Sequence, residues 1–267
     1  MPRIVLGVEY DGSRFHGWQH QQGKRTVQAE LEKALTKIAS RPITVVCAGR
    51  TDAGVHALEQ VVHFDCEVER DPRAWVMGSN TQLPDDVRVL WARPAVDDFH
   101  ARYNAIARFY RYIFFNRPVN SALVHRQMTW CFEPLDERKM HRAAQALIGE
   151  HDFSSFRATS CQSVSPCRLM YFIDVHREQD RVIMDISANA FVHHMVRNIA
   201  GVLMDIGRGR KPEDWTEYLL QVKDRKQGGL TAPPQGLYLG GVFYPEKYGI
   251  SAHPVFAKLP KNAERFD

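Results

Sequence analysis

The order strand–helix–strand–strand–helix–strand can be read twice along this chain, and few folds accommodate that order. Ile4, Leu6, Val8 and Tyr10 alternate with smaller or polar residues, the period of a half-buried strand. Val27, Leu31, Leu35 and Ile38 then recur at helical spacing, with Thr26 as N-cap and Arg41-Pro42 as the stop. Two strands follow, over Ile43–Val46 and Val61–Cys66. Asp71-Pro72 opens a second helix, an N-cap followed by proline at the first helical position, and Trp75 faces inward from it. Val87, Val89 and Trp91 form a further strand. This is the split βαβ, or ferredoxin-like, order.

Pro94 to His100 reads as a crossover, after which the order repeats. Phe109–Phe115 is an aromatic strand suited to a pleated, half-buried surface. Asp136 opens a helix with Met140, Ala143, Ala144 and Leu147 inward, closed by Gly149. Leu169, Tyr171, Ile173 and Val175 alternate, then Val182, Met184 and Ile186 do so after a charged turn at Arg177–Arg181. A long helix is expected over Phe191–Arg208, a short one near Trp215–Val222, and a last strand over Gln235–Leu239. The halves share element order without sequence identity. The expected fold is therefore α+β: an N-terminal domain over 1–100 and a C-terminal domain over 101–267, both like the RNA-recognition motif. Side by side they would form one broad, mostly antiparallel sheet with helices on one face and a ligand cleft between the halves. The order alone proves no function, and the aromatic-glycine signature of a true RNA-recognition motif is missing from the central strand.

Composition narrows the function classes. Hydrophobic residues make up 44% and charged residues 25%, an ordinary globular balance. No apolar run approaches the roughly 20 residues that cross a bilayer. Met1–Val5 goes straight into strand-like sequence without a signal-peptide core, so the expected location is the cytoplasm, with no membrane partner. The five cysteines are odd in number and contain no C-x-x-C pair, which argues against a zinc ribbon or a disulfide framework. They read as reduced thiols, mostly buried. A net charge of +4 permits a polyanionic partner without demanding one.

Between the third and fourth of these expected elements lies Cys47–Ala57, C-A-G-R-T-D-A-G-V-H-A. Gly49 and Gly54 permit close backbone approach, and Arg50, Thr51 and Asp52 stand between them. Two readings are open: a polar turn in which Asp52 holds its own backbone, or a displayed functional site. Phosphate-cradling and dinucleotide loops are absent, as are H-E-x-x-H and G-x-S-x-G. The pair His193-His194, read as adjacent on a helix, would point in different directions and make a poor metal site. Nucleophile candidates reduce to carboxylates, with Asp52 the best displayed. Arg197, four after His193, falls on the same helix face, either as a solvated surface cation or as the partner of a carboxylate. Tyr110 reads from its strand as an ordinary sheet-face tyrosine. Cations interleave with aromatics at Arg14–Trp18, Lys24-Arg25, Arg102–Tyr112 and Arg208–Lys211, the mixture that single-stranded or looped RNA requires.

Five segments stand in an order that resembles a known family: Gly49–Ala57 (G-R-T-D-A-G-V-H-A), Ala107–Tyr112 (A-R-F-Y-R-Y), His151–Phe156 (H-D-F-S-S-F), Asn189–Gly201 (N-A-F-V-H-H-M-V-R-N-I-A-G) and Ala232–Leu239 (A-P-P-Q-G-L-Y-L). Together they resemble the TruA family of tRNA pseudouridine synthases, from Arg3 to about Tyr244, with Ala232–Pro234 a slight loop variation. The resemblance implies two RNA-recognition-motif-like halves around a catalytic cleft, and a homodimer that binds tRNA across both subunits. It implies isomerisation of uridine to pseudouridine at positions 38, 39 and 40 of the tRNA anticodon arm, without metal or organic cofactor. By motif position Asp52 is the catalytic aspartate and Arg50 assists eversion of the target nucleotide. Tyr110 lies against the uracil, and Arg197 pairs with Asp52. A carboxylate serves such a reaction as nucleophile toward the sugar C1′ or the uracil C6, or as base at C2′, and these alternatives stay open. The competing reading is a non-catalytic tandem RNA-binding protein on the same scaffold; a metal-dependent hydrolase is a distant third.

Overall fold

The structure, a computed structural model, describes residues 2–250. It is of the α+β class with mostly antiparallel strands, and it divides into two compact units, 2–106 with 238–250, and 107–237. In the first unit β1 (Arg3–Tyr10) lies between β3 (His56–Asp65) and β4 (Val87–Ala95), antiparallel to both. Helices α1 (Val27–Ala39) and α2 (Pro72–Gln82) pack together, and α2 lies against β4. Both caps form as the sequence implies: Thr26 accepts from the Ala29 N–H and Asp71 from that of Arg73. Trp75 is buried edge-on against Phe64, with ring centroids 5.1 Å apart.

Strand β1 departs from the half-buried expectation, since Val5, Leu6 and Val8 are all fully buried. Its second face is covered by Trp91, whose indole occupies the space above Gly7 and donates to buried Glu59 at 2.6 Å. The strand expected over Ile43–Val46 shrinks to β2 (Val46–Cys47). Side chains of α1 take the backbone groups of that run instead: the Ile43 N–H donates to Thr36 Oγ1 at 3.1 Å and the Val45 N–H to Glu32 Oε1 at 3.0 Å. Strand β3 in turn begins at His56, well before Val61. Its early residues His56 and Ala57 pair in parallel with Tyr238 and Leu239 of β10 (Leu237–Phe243), and its later residues Val62 and His63 pair with β2.

In the second unit β5 (Ala107–Asn116), β9 (Arg181–Ala188), β8 (Cys167–Glu178) and β7 (Gly149–Asp152) form an antiparallel sheet in that order. The short β6 (Thr129–Cys131) runs parallel to β5. Neither β6 nor β7 has a sequence signal; each is three or four residues long and exists through its neighbour's ladder. The alternation read along β8 is interrupted by a bulge between Met170 and Phe172, so Met170 is buried and Tyr171 is not. Helix α3 (Glu137–Ala144) ends before Gly149, which at φ +103° opens β7. Leu147 is nonetheless buried, in a 3-10 turn that follows α3.

The long helix is shorter than expected: α4 covers Met195–Gly207, and His194 before it adopts φ +62°. A left-handed residue cannot continue a helix, so His193 and His194 stand outside α4. Their rings do not diverge but meet, with centroids 4.0 Å apart. Helix α5 (Trp215–Val222) matches its expected span. Of the five cysteines only Cys66 and Cys131 are buried; Cys47 and Cys161 are half-buried, Cys167 is exposed, and all are free thiols.

Candidate active site

The loop 48–55 leaves β2 and returns into β3, and its backbone is bonded almost continuously. The Ala48 N–H donates to the Val61 carbonyl at 2.8 Å, and the Gln60 amide bridges both backbone groups of Gly49. The Thr51 carbonyl accepts from the Trp18 N–H at 3.0 Å, and the Gly54 N–H donates to the Phe15 carbonyl at 3.3 Å. Thr51 is also held by its side chain, Oγ1 lying 2.7 Å from the hydroxyl of buried Tyr10. Closing the loop, the Val55 N–H donates to the Asp52 carbonyl at 3.1 Å. Two glycines make this packing possible. A Cβ on Gly12 would sit 1.9 Å from the Val55 carbonyl oxygen, and one on Gly17, at φ +84°, would sit 2.7 Å from that of Thr51.

These bonds present Asp52 half-buried and Arg50 exposed from one fixed loop. Burial pushes the neighbouring Cys47 thiol up to about 12, against the opposing pull of Arg50 and Arg102. A thiol so high remains protonated near neutrality and is no nucleophile. His56, the last polar residue of the motif, is buried; its Nδ1 accepts from the Gly12 N–H at 3.1 Å and its ring stacks on Tyr238 at 4.7 Å.

Tyr110 and Arg197 belong to the second unit. Tyr110 is buried on β5 opposite Ile186, edge-on to Phe191 with centroids 5.1 Å apart. Arg197 lies in the first turn of α4, and His193 does not share its helix face because the helix starts after it. Its Nε donates to the Ala232 carbonyl at 2.8 Å, and its own carbonyl accepts from the Ala232 N–H at 3.0 Å. Burial raises the Tyr112 hydroxyl, opposed by its bond to Thr129 and by the positive charge of Arg197.

Sequence reasoning passed over the residues that hold these four. Asn198, next to Arg197, is wholly buried; its Nδ2 donates to the Phe156 carbonyl at 2.7 Å, and its Oδ1 accepts from Thr231 at 2.6 Å and Arg225 at 3.0 Å. Its signal was available: Asn198 shares a helical face with Met195 and Val202, an apolar stripe where a lone amide has to find partners. Thr51 and Tyr10 carry no such signal, since their contact spans 41 positions.

A family model described as "tRNA pseudouridine synthase" matches residues 7–104 and 143–245. The chain is 60% identical over 264 residues to the tRNA pseudouridine synthase A of Methylococcus capsulatus, covering 99% of this chain and 97% of that one. It is 55% identical over 248 residues to that of Nitrosococcus oceani, covering 93% and 96%. Against that of Coxiella burnetii it is 52% identical over 255 residues, covering 96% and 98%. With matched segments on both sides of the chain and relatives of this identity over nearly its whole length, the chain belongs to the tRNA pseudouridine synthase family.

Proposed function

We propose that this chain isomerises uridine to pseudouridine at positions 38, 39 and 40 of the tRNA anticodon arm, with Asp52 as the catalytic carboxylate. Family membership supports an isomerase acting on tRNA uridine. The observation that carries the residue assignment is the loop 48–55, in which a half-buried carboxylate stands on a backbone bonded from both sides. Such fixation is what a group meeting one reacting atom needs.

The reaction breaks the bond between uracil N1 and sugar C1′, turns the base and forms a bond from C5 to C1′. The proton on C5 leaves to solvent and N1 gains one, so atoms balance without any co-reactant. Asp52 acts ionised, at C1′, C6 or C2′. Arg50, exposed two residues before it, offers a guanidinium to the RNA backbone as the target base leaves its stack, a step costing a few kcal/mol. Tyr110 and Arg197 take the roles of uracil contact and carboxylate partner, and two copies of the chain share one tRNA in the cytoplasm.

The test is release of tritium from tRNA labelled at uracil C5. Wild-type protein should release label and Asp52→Asn should reduce release by at least roughly 10³-fold, as expected when a covalent or acid–base group is removed. Equal release from both proteins would overturn the assignment of Asp52, and no release from either would favour a non-catalytic RNA-binding protein.

A further inference from the structure

The loop 100–104 lies outside the catalytic motif, yet it is tied to the same rung of the sheet. His63 on β3 pairs with Val46, the residue before Cys47, and its Nδ1 accepts the Ala101 N–H at 3.1 Å. Burial, reinforced by Arg3 and His100, holds the His63 imidazole down to about 4, so it stays neutral and keeps that lone pair available near neutrality. The loop closes on itself tightly: the His100 N–H donates to Asn104 Oδ1 at 2.5 Å, and the Asn104 N–H donates to the His100 carbonyl at 3.0 Å. The N–H groups of Arg102 and Tyr103 both reach His100 Nδ1 at 3.2 Å. Below it Phe99 is fully buried against Tyr244 and Tyr248.

A rigid loop of this kind has no structural use for a large exposed ring, but it carries one. Tyr103 is 74% exposed. Its ring lies on that of His100, centroids 4.3 Å apart and 29° from parallel, and the Arg102 guanidinium is 5.6 Å from its centroid. Ala101, the neighbour of Arg102, is bonded to His63, which pairs with Val46 where the strand leads into the catalytic loop. The result is a flat, pre-ordered ring backed by a second ring and flanked by positive charge. A flat face with a cation beside it is the surface on which an unpaired nucleobase stacks while its phosphate is neutralised.

We propose that Tyr103, supported by His100 and flanked by Arg102, is a stacking platform for an unpaired base of the RNA substrate, next to the base that is modified. The inference rests on the reading that the substrate is RNA. Stacking uses the face of the ring, so the phenol hydroxyl is dispensable and any flat aromatic should serve.

The test compares wild type with Tyr103→Ala, Tyr103→Phe and Tyr103→Trp, measuring equilibrium binding of unmodified tRNA and of a perfectly paired RNA duplex at several salt concentrations. Tyr103→Ala should weaken tRNA binding roughly tenfold, the scale of one base–aromatic stack. It should leave duplex binding and the slope of log affinity against log salt unchanged, since no phosphate contact is lost. Phe and Trp should bind within about twofold of wild type. In the tritium assay Tyr103→Ala should raise KM with kcat retained. Binding of tRNA by Tyr103→Ala within about twofold of wild type, a loss shared by Tyr103→Phe, or an equal loss on duplex would each overturn the platform. Absence of tritium release from wild type would count against the isomerase reading alone, because the binding comparison does not depend on turnover.

Discussion

Asp52 and Arg197 are held in opposite ways. Around Asp52 the anchors are backbone groups: Trp18 and Phe15 bond the loop's main chain, and Gly12 and Gly17 let it approach. Around Arg197 the anchors are mainly side chains: buried Asn198 and half-buried Arg225 and Thr231 form a hydrogen-bonded triangle that fixes the segment whose Ala232 holds Arg197. The first arrangement depends on which residues lack a Cβ, and the second on which carry the right polar atoms. A carboxylate on a short side chain takes its position from its backbone, whereas a long arginine needs its far end fixed as well.

The widest gap between the two should come from glycine. A Cβ on Gly12 meets the Val55 carbonyl at 1.9 Å, and one on Gly201 meets that of Leu230 at the same distance. Gly201 lies inside α4, where alanine gains about 1 kcal/mol of helix propensity over glycine, an offset that Gly12 lacks. Gly12→Ala should therefore destabilise by about 3 kcal/mol and Gly201→Ala by about 2, read as midpoints in urea. If Asp52 takes its position from the backbone, Gly12→Ala should also lose turnover in excess of its stability loss. Equal midpoints for the two variants would mean that a costlier clash at Leu230 cancels the helix-propensity gain at Gly201.

Next in size is Asn198→Ala. It removes a buried amide that satisfies the Phe156 carbonyl, Thr231 and Arg225, the last a guanidinium whose pKa burial already lowers. Stranding such groups costs about 2–4 kcal/mol. Thermal unfolding should show that loss, and turnover should fall with it as the segment around Ala232 loosens. A loss below about 1 kcal/mol would show that water replaces the amide and that the triangle is not what fixes Arg197.

These examples also show where sequence reasoning succeeds. Helices α1 and α2 were legible because their caps and apolar spacing are local, written within a dozen residues. Asp52 stood out because few other groups in the chain could do chemistry. What escaped was set by distant partners or by local backbone geometry: the Ile43–Val45 run bonded by α1 instead of a strand, the bulge at Tyr171, the left-handed His194 that delays the start of α4. Thr51, Tyr10 and Gly17 belong to the same class, as their roles exist only once the chain has folded back on itself.

A smaller effect depends on pH. The His63 pKa, about 4 through burial beside Arg3 and His100, lies below the unfolded value near 6.5. Above 6.5 both states are neutral and His63 contributes no pH dependence. As pH falls from about 6.5 to about 4 the unfolded chain takes up a proton that the folded chain refuses, and stability drops, by up to about 2–3 kcal/mol. His63→Gln keeps an acceptor for the Ala101 N–H and removes the titration. Unfolding midpoints of wild type and variant should diverge through that window, and parallel curves would show that His63 does not titrate differently in the two states.

The least costly change bears most closely on how Asp52 is set. Thr51→Val keeps the volume and removes the hydroxyl that meets Tyr10 at 2.7 Å, while the Thr51 carbonyl keeps its bond from Trp18. Loss of one hydrogen bond should cost about 1 kcal/mol, and the fold should survive. If backbone anchoring alone positions the carboxylate, turnover should be unchanged, and the contrast with Arg197 is complete. If the buried hydroxyl pair is a further anchor, turnover should fall severalfold with KM held, and Thr51→Ser, which restores the oxygen, should recover it. We expect the second outcome, because Thr51 immediately precedes Asp52 and any shift of its backbone is passed directly to the carboxylate.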